Sequence, residues 1–228
     1  MDSNWPDQVV VNVVLDRVAE PAEEIAAATQ RFVEAFEARA GATAWEVIKG
    51  PRWAGTEAEL ADVVRQHPST AATYVDGSSD GYSFSLYARR EPVVLSVGVT
   101  VGGPRLGKRN PAQTVRASVV HDQRGSVDQA LPIAMFESLV EAWQPLSVQL
   151  TDVDINTSAG RGGWKIPAGY RVWLRDGVAE FNWLADGLTA TPFAGGTVLA
   201  VPDDWPPDQI AMRLVETYER AGVEVLPH

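Results

Sequence analysis

Tyr82-Ser83-Phe84-Ser85-Leu86-Tyr87, Pro92-Val93-Val94-Leu95-Ser96-Val97-Gly98-Val99-Thr100-Val101 and Gln113-Thr114-Val115-Arg116-Ala117-Ser118-Val119-Val120 are the three runs whose reading decides the fold. In the first, Tyr82, Phe84 and Leu86 alternate with Ser83, Ser85 and Tyr87, the period-two pattern of a half-buried strand. The second separates Val93, Leu95, Val97, Val99 and Val101 from Val94, Ser96, Gly98 and Thr100, again an apolar face against a small, weakly polar one. Three such runs joined by loops predict an antiparallel meander with one apolar face to cover.

Upstream, Val9 to Leu15 is rich in β-branched residues and predicts a buried strand. Glu20-Pro21 opens a helix, because Pro is tolerated where its missing N–H would have no partner, and Glu23 and Glu24 suit the positive end of the dipole. Ile25, Thr29, Phe32 and Phe36 form one apolar stripe along it before Gly41 stops it. Trp45 to Ile48 predicts a short strand, and Gly50-Pro51 a turn. Thr56-Glu57-Ala58-Glu59 fits a capping box for a short helix carrying Leu60, Val63 and Val64, which His67-Pro68 ends. Asp76 to Gly81 reads as a loop into the meander.

Downstream, Ser126 to Gln129 is a second candidate capping box, for a helix carrying Met135, Phe136, Leu139, Val140 and Trp143 and broken by Pro145. Ser147 to Leu150, Tyr170 to Leu174 and Thr197 to Val201 predict strands. Asp152 to Gly163 reads as the longest irregular region, the kind of segment where binding residues are displayed. Asp203 or Asp204 is placed to cap a last helix beginning near Pro206-Pro207, with Ile210, Leu214, Val215 and Tyr218 inward and Gly222 closing it. The class expected is α+β: largely antiparallel sheet with about four packed amphipathic helices, in a single domain over residues 1–228.

The balance of charge bears on partners. Nineteen Lys and Arg stand against thirty Asp and Glu, a net charge of −11. From Asp122 onward there are fifteen acids and seven bases, so most of the excess lies in the C-terminal half. Such a surface repels nucleic acid and anionic lipid and attracts basic proteins. No run approaches the ~20 apolar residues that span a bilayer. The apolar start follows Asp2 and Asp7 rather than Lys or Arg, so a cytoplasmic protein is expected. Zero Cys excludes disulfides, thiolate nucleophiles and Cys-ligated zinc.

Catalytic patterns are weak. His67, His121 and His228 have no metal-ligand spacing, and Asp152-x-Asp154-x-Asn156 lacks the Gly and the twelfth-position Glu of a calcium loop. No Gly-x-Ser-x-Gly elbow exists, and the Gly102 to Pro111 loop, though basic, has neither phosphate-binding Gly spacing. No catalytic residue, metal or cofactor is expected. Of the eight Trp, Trp143 and Trp173 are expected in the core, and Trp164, Trp183 and Trp205 in loops where an interface role is open to them.

In order of features the chain resembles the immunity protein 52 family of bacterial polymorphic toxin systems. The resemblance is carried by Trp45 leading to Lys49-Gly50 and a short helix, by Gly81-Tyr82-Ser83-Phe84-Ser85-Leu86-Tyr87, and by Leu139-Val140-Glu141-Ala142-Trp143-Gln144-Pro145. It continues through Pro167-Ala168-Gly169-Tyr170-Arg171-Val172-Trp173-Leu174, Gly195-Gly196-Thr197-Val198-Leu199, and a final helix ending Ala221-Gly222-Val223. It implies a cytoplasmic immunity protein that neutralises a cognate toxin, nuclease-like and basic toxins among them, by occlusion. The residues assigned to toxin binding are Asp152, Asp154, Asp176, Asp186, Asp203 and Asp204, with Trp164, Trp183 and Trp205 as anchors. The alternatives are a small-molecule-binding or enzymatic domain whose Trp/Tyr-lined pocket uses Arg171 or Arg175 for an anion, and a scaffold that self-associates through the edge of the meander.

Overall fold

A computed structural model describes residues 5–69, 81–121 and 128–228 of the chain. The meander forms as β3 (Tyr82–Arg90), β4 (Val93–Val101) and β5 (Thr114–His121). Around it are β1 (Gln8–Val14), α1 (Ala22–Ala40), β2 (Glu46–Val47) and α2 (Glu57–Arg65) on the N-terminal side. On the C-terminal side follow α3 (Ala130–Trp143), β6 (Ser147–Thr151), α4 (Val153–Ala159), β7 (Arg171–Arg175), β8 (Thr189–Phe193), β9 (Gly196–Ala200) and α5 (Pro207–Ala221). All nine strands join one antiparallel sheet in the order β2-β3-β4-β5-β1-β6-β7-β9-β8. The α+β class is as the alternation predicts, with five helices among the described residues.

Strand register puts the apolar set of the meander on one face. Phe84, Leu86 and Ala88, Val93 to Val101 in alternation, Val115, Ala117 and Val119, and Val9, Val11 and Val13 are all buried there. Helices α1, α2 and α3 cover this face. Within it the Trp45 ring meets Phe32 and Phe36 of α1 edge-on at 5.7 and 5.8 Å. Edge-to-face aromatic pairs add about 0.5–1.5 kcal/mol beyond the area they bury. The opposite face of β3, β4 and β5 keeps Ser83, Ser85, Ser96, Gly98, Thr100 and Ser118 partly or fully exposed.

At the other end of the sheet the sides reverse. Val172, Leu174 and Leu199 point away from the α1–α3 layer, and α4 and α5 pack on that second face. Each end of the sheet thus has its own helical cover, on opposite sides.

The capping box at α2 is present as expected, with Thr56 accepting from the Glu59 amide and Glu59 answering to the Thr56 amide. Other expectations are corrected. Segment 152–163 is not irregular throughout, because Asp152 caps α4. Neither Asp203 nor Asp204 caps α5; Pro206 holds that position without a side-chain bond. Helix α3 begins at Ala130 behind Gln129, which gives no side-chain cap, while Ser126 and most of the Asp76 to Gly81 loop lie outside the described residues. The outer edge of the meander is covered in part: β2 pairs with β3 at Leu86 and Tyr87, and His67 and Ser69 bond to Ser83 and Gly81, while β5 on the inner side pairs with β1. The far edge strand, β8, carries Pro192, which removes a ladder donor.

Candidate functional site

Strand β6 ends at Thr151, and the next carboxylate starts α4. One Asp152 oxygen accepts from the Ile155 amide at 2.8 Å, the N-cap bond that satisfies an otherwise orphaned donor. Its other oxygen accepts from the Tyr170 hydroxyl at 2.5 Å. The Tyr170 ring stacks on Trp5 at 4.3 Å. Behind this pair the Gln149 amide donates to Asn156 of α4 at 2.8 Å and to the Ala168 carbonyl, while Asn12 donates to Gln149 at 3.2 Å. A helix of seven residues, too short to hold itself, is thereby fastened to β1, β6 and the approach to β7.

Burial pushes the Tyr170 phenol well above its ordinary value, helped by the bond to Asp152 and by the charges of Asp152, Asp154 and Asp203. The tyrosine is a fixed hydrogen-bond donor. Three of the residues singled out from sequence therefore converge on it, though not as equals. Asp152 is buried and fully used in holding α4, and Asp203 is ion-paired to Arg171 at 2.9 Å. Asp154 alone of the three is exposed.

The surface that α4 and α5 present is apolar at two points and acidic around them. Val153 is 74% exposed and Met212 56%, the two most exposed large apolar side chains among the described residues. Ser158 and Ala159 of α4 face Ala211, Met212 and Val215 of α5 across a groove of about 530 Å³ rimmed by Asp208, Glu216 and Glu219. On the other flank of α4, a cleft of about 760 Å³ runs from Asp7 and Gln8 past Arg116 to Asp154 and Thr157. Glu216 is tied to Arg213 and Arg220. Asp154, Asp208 and Glu219 have no ion pair among the described residues. Covering one such apolar side chain is worth about 1.5–3 kcal/mol.

The other residues predicted from sequence lie elsewhere. Trp164 is not a surface anchor: it is buried, donates to the Gly107 carbonyl at 3.2 Å and stacks on His228 at 4.4 Å. Trp183 is 36% exposed and lies under the Arg220 guanidinium at 3.8 Å. Trp205 is half-buried against Gly187, where a Cβ would come within 2.4 Å of its ring, so exposed Asp186 stands beside it and Asp204 precedes it. Asp176 is exposed at the opposite end of β7 from Tyr170, beside Gly195. Neither arginine offered for an anion is available. Arg171 holds Asp203 and the carbonyls of Tyr170 and Val201, and Arg175 holds Asp16. Among the described residues no group of three or more His, Asp or Glu is placed to hold a metal ion, and no helix is long and apolar enough to cross a membrane.

Sequence reasoning missed Val153, Met212, Asp208 and Glu219. The signal was present for α5: positions 208, 212, 215, 216 and 219 share one helical face, and that face is acidic with a methionine in its middle.

No protein-family model matches the chain, and no curated protein matches it. The likeness to the immunity protein 52 family therefore stands on the order of motifs. Among solved structures, the Pseudomonas aeruginosa T6SS protein PA0821 is similar at 9% identity with a TM-score of 0.43, over 84% of this chain and 67% of that one.

Proposed function

We propose that this protein is an immunity protein, a stoichiometric inhibitor that binds a basic protein toxin through the α4–α5 face and blocks it by occupation. The observation that carries the reading is the exposure of Val153 and Met212 among Asp154, Asp208 and Glu219, which have no ion pair among the described residues, over grooves that a side chain can enter. Apolar anchors ringed by charge are the composition of a protein interface, with the anchors supplying affinity and the charges steering a partner of opposite sign. A net charge of −11 adds to the steering, and the motif order of the immunity protein 52 family supports the same reading. A nuclease-like toxin is the partner that fits best, because a surface built for phosphates accepts carboxylates in their place.

The test is to coexpress the chain with the toxin encoded beside its gene. Cell survival and copurification of the two proteins at one-to-one stoichiometry are expected. The paired reversal Asp154→Lys with Glu219→Lys should lower affinity by about tenfold or more, by analogy with truncation of interfacial charges. Survival without any complex, or a complex indifferent to that reversal and to Met212→Asp, counts against the assignment.

A further inference from the structure

On the opposite face of the sheet from α4 lies a cleft of about 560 Å³ between the β3–β4 turn, the end of β5 and the start of α3. Its size falls in the range of small-ligand sites. His121, the last residue of β5, is only 6% exposed, and its Nε2 is buried without a hydrogen-bond partner among the described residues. Arg90, the last residue of β3, likewise has a buried Nη1 with no partner among the described residues. Strand register relates the two. Arg90 pairs with Val93 and Val93 with His121, so all three stand in one row on one face of the sheet. Arg90 and His121 are two strand spacings apart, about 10 Å at the backbone, and their longer side chains both line the cleft.

Buried polar groups are nearly always satisfied, and leaving a cationic one unmet costs more than leaving a neutral one. The other arginine in the wall, Arg39, is already matched by Glu137 and Glu141. The start of α3 also reaches the cleft through Ala130 and Leu131, with the Ala130 amide already donating to the Asp128 carboxylate at 2.9 Å. We propose that this cleft binds a carboxylate, which the Arg90 guanidinium and the His121 imidazole hold between them. Ala40, Pro92, Val93 and Leu131 supply an aliphatic wall for the body of the ligand. Glu91 and Asp128 on the same lining oppose a second negative charge, which selects a carboxylate over a phosphate dianion. The carboxylate belongs either to a small acid or to the end of a peptide. This site shares no residue with the α4–α5 face, so it stands or falls separately from toxin binding.

The experiment is an NMR titration of the full chain, following the His121 ring and Arg90 Nε–H signals, assigned through H121Q and R90Q. Hexanoate should move both signals saturably, and hexan-1-ol should not. R90K and R90Q should each weaken binding by about tenfold or more, the size expected for a charge-assisted bond. Trialanine as the free acid, against its amide, separates the two sources: a shift with the acid alone points to a chain terminus, and no shift beside a hexanoate response points to a small acid. The site is overturned if hexanoate leaves both signals in place, if hexan-1-ol moves them equally, if inorganic phosphate binds more tightly than hexanoate, or if all three variants bind hexanoate like the parent chain.

Discussion

At the scale of single residues, much of the acidic excess is put to structural use. Asp16 is one instance: the bond from Arg175, with that residue's charge, holds its carboxyl below the ordinary 3.8 despite partial burial. The sign follows from linkage. A depressed folded value means that the pair's contribution is present at neutral pH and is lost as pH falls through that lowered value. Denaturation midpoints across a pH series should therefore show the chain and Asp16→Asn differing at pH 7, with the difference shrinking below pH 3.8. A constant gap through the acid limb would contradict this. Glu20 runs the other way, since burial raises its carboxyl even beside Arg17. Neither residue stands out in the sequence from the other acids, because burial and partner decide the matter and both are set by distant segments.

At the scale of elements, α4 shows how one side chain can decide whether a segment is helix or loop. Seven residues containing Asn, Thr and Ser have poor helical propensity, which is why 152–163 reads as irregular. Asp152 overrides this by capping α4 and accepting the Tyr170 hydroxyl together. Asp152→Ala should cost about 1 kcal/mol for the cap and about 1–3 kcal/mol more for the stranded tyrosine donor. Chemical denaturation should register the loss, and hydrogen exchange should quicken across 153–159 before the rest of the sheet. Uniform exchange would mean that α4 is held by something else. Tyr170→Phe, which leaves the cap in place, should cost less.

At the scale of the whole molecule, the sheet is an organising plane with opposite covers at its two ends. The α1–α3 layer buries the meander, while α4 and α5 pack on each other on the opposite face and carry the acidic surface. Because net charge acts beyond any single contact, association with a basic toxin should slow by about tenfold or more between 0.01 M and 1 M ionic strength, where the screening length falls from about 30 Å to about 3 Å. Stopped-flow association rates measure this directly. A rate insensitive to salt would show that steering plays no part, whatever the apolar anchors contribute.

What the sequence determined by itself was local and periodic. Alternation fixed the faces of β3, β4 and β5, the apolar stripe fixed α1, and Thr56 with Glu59 fixed the start of α2, because each depends on residues a few positions apart. Tertiary structure alone decided that Asp152 and Trp164 would be buried and Met212 left bare, and that Arg90 and His121 would stand in one row. Those outcomes depend on strand order and register between segments tens of residues apart, and a chain read along its length does not contain the distances on which a site is built.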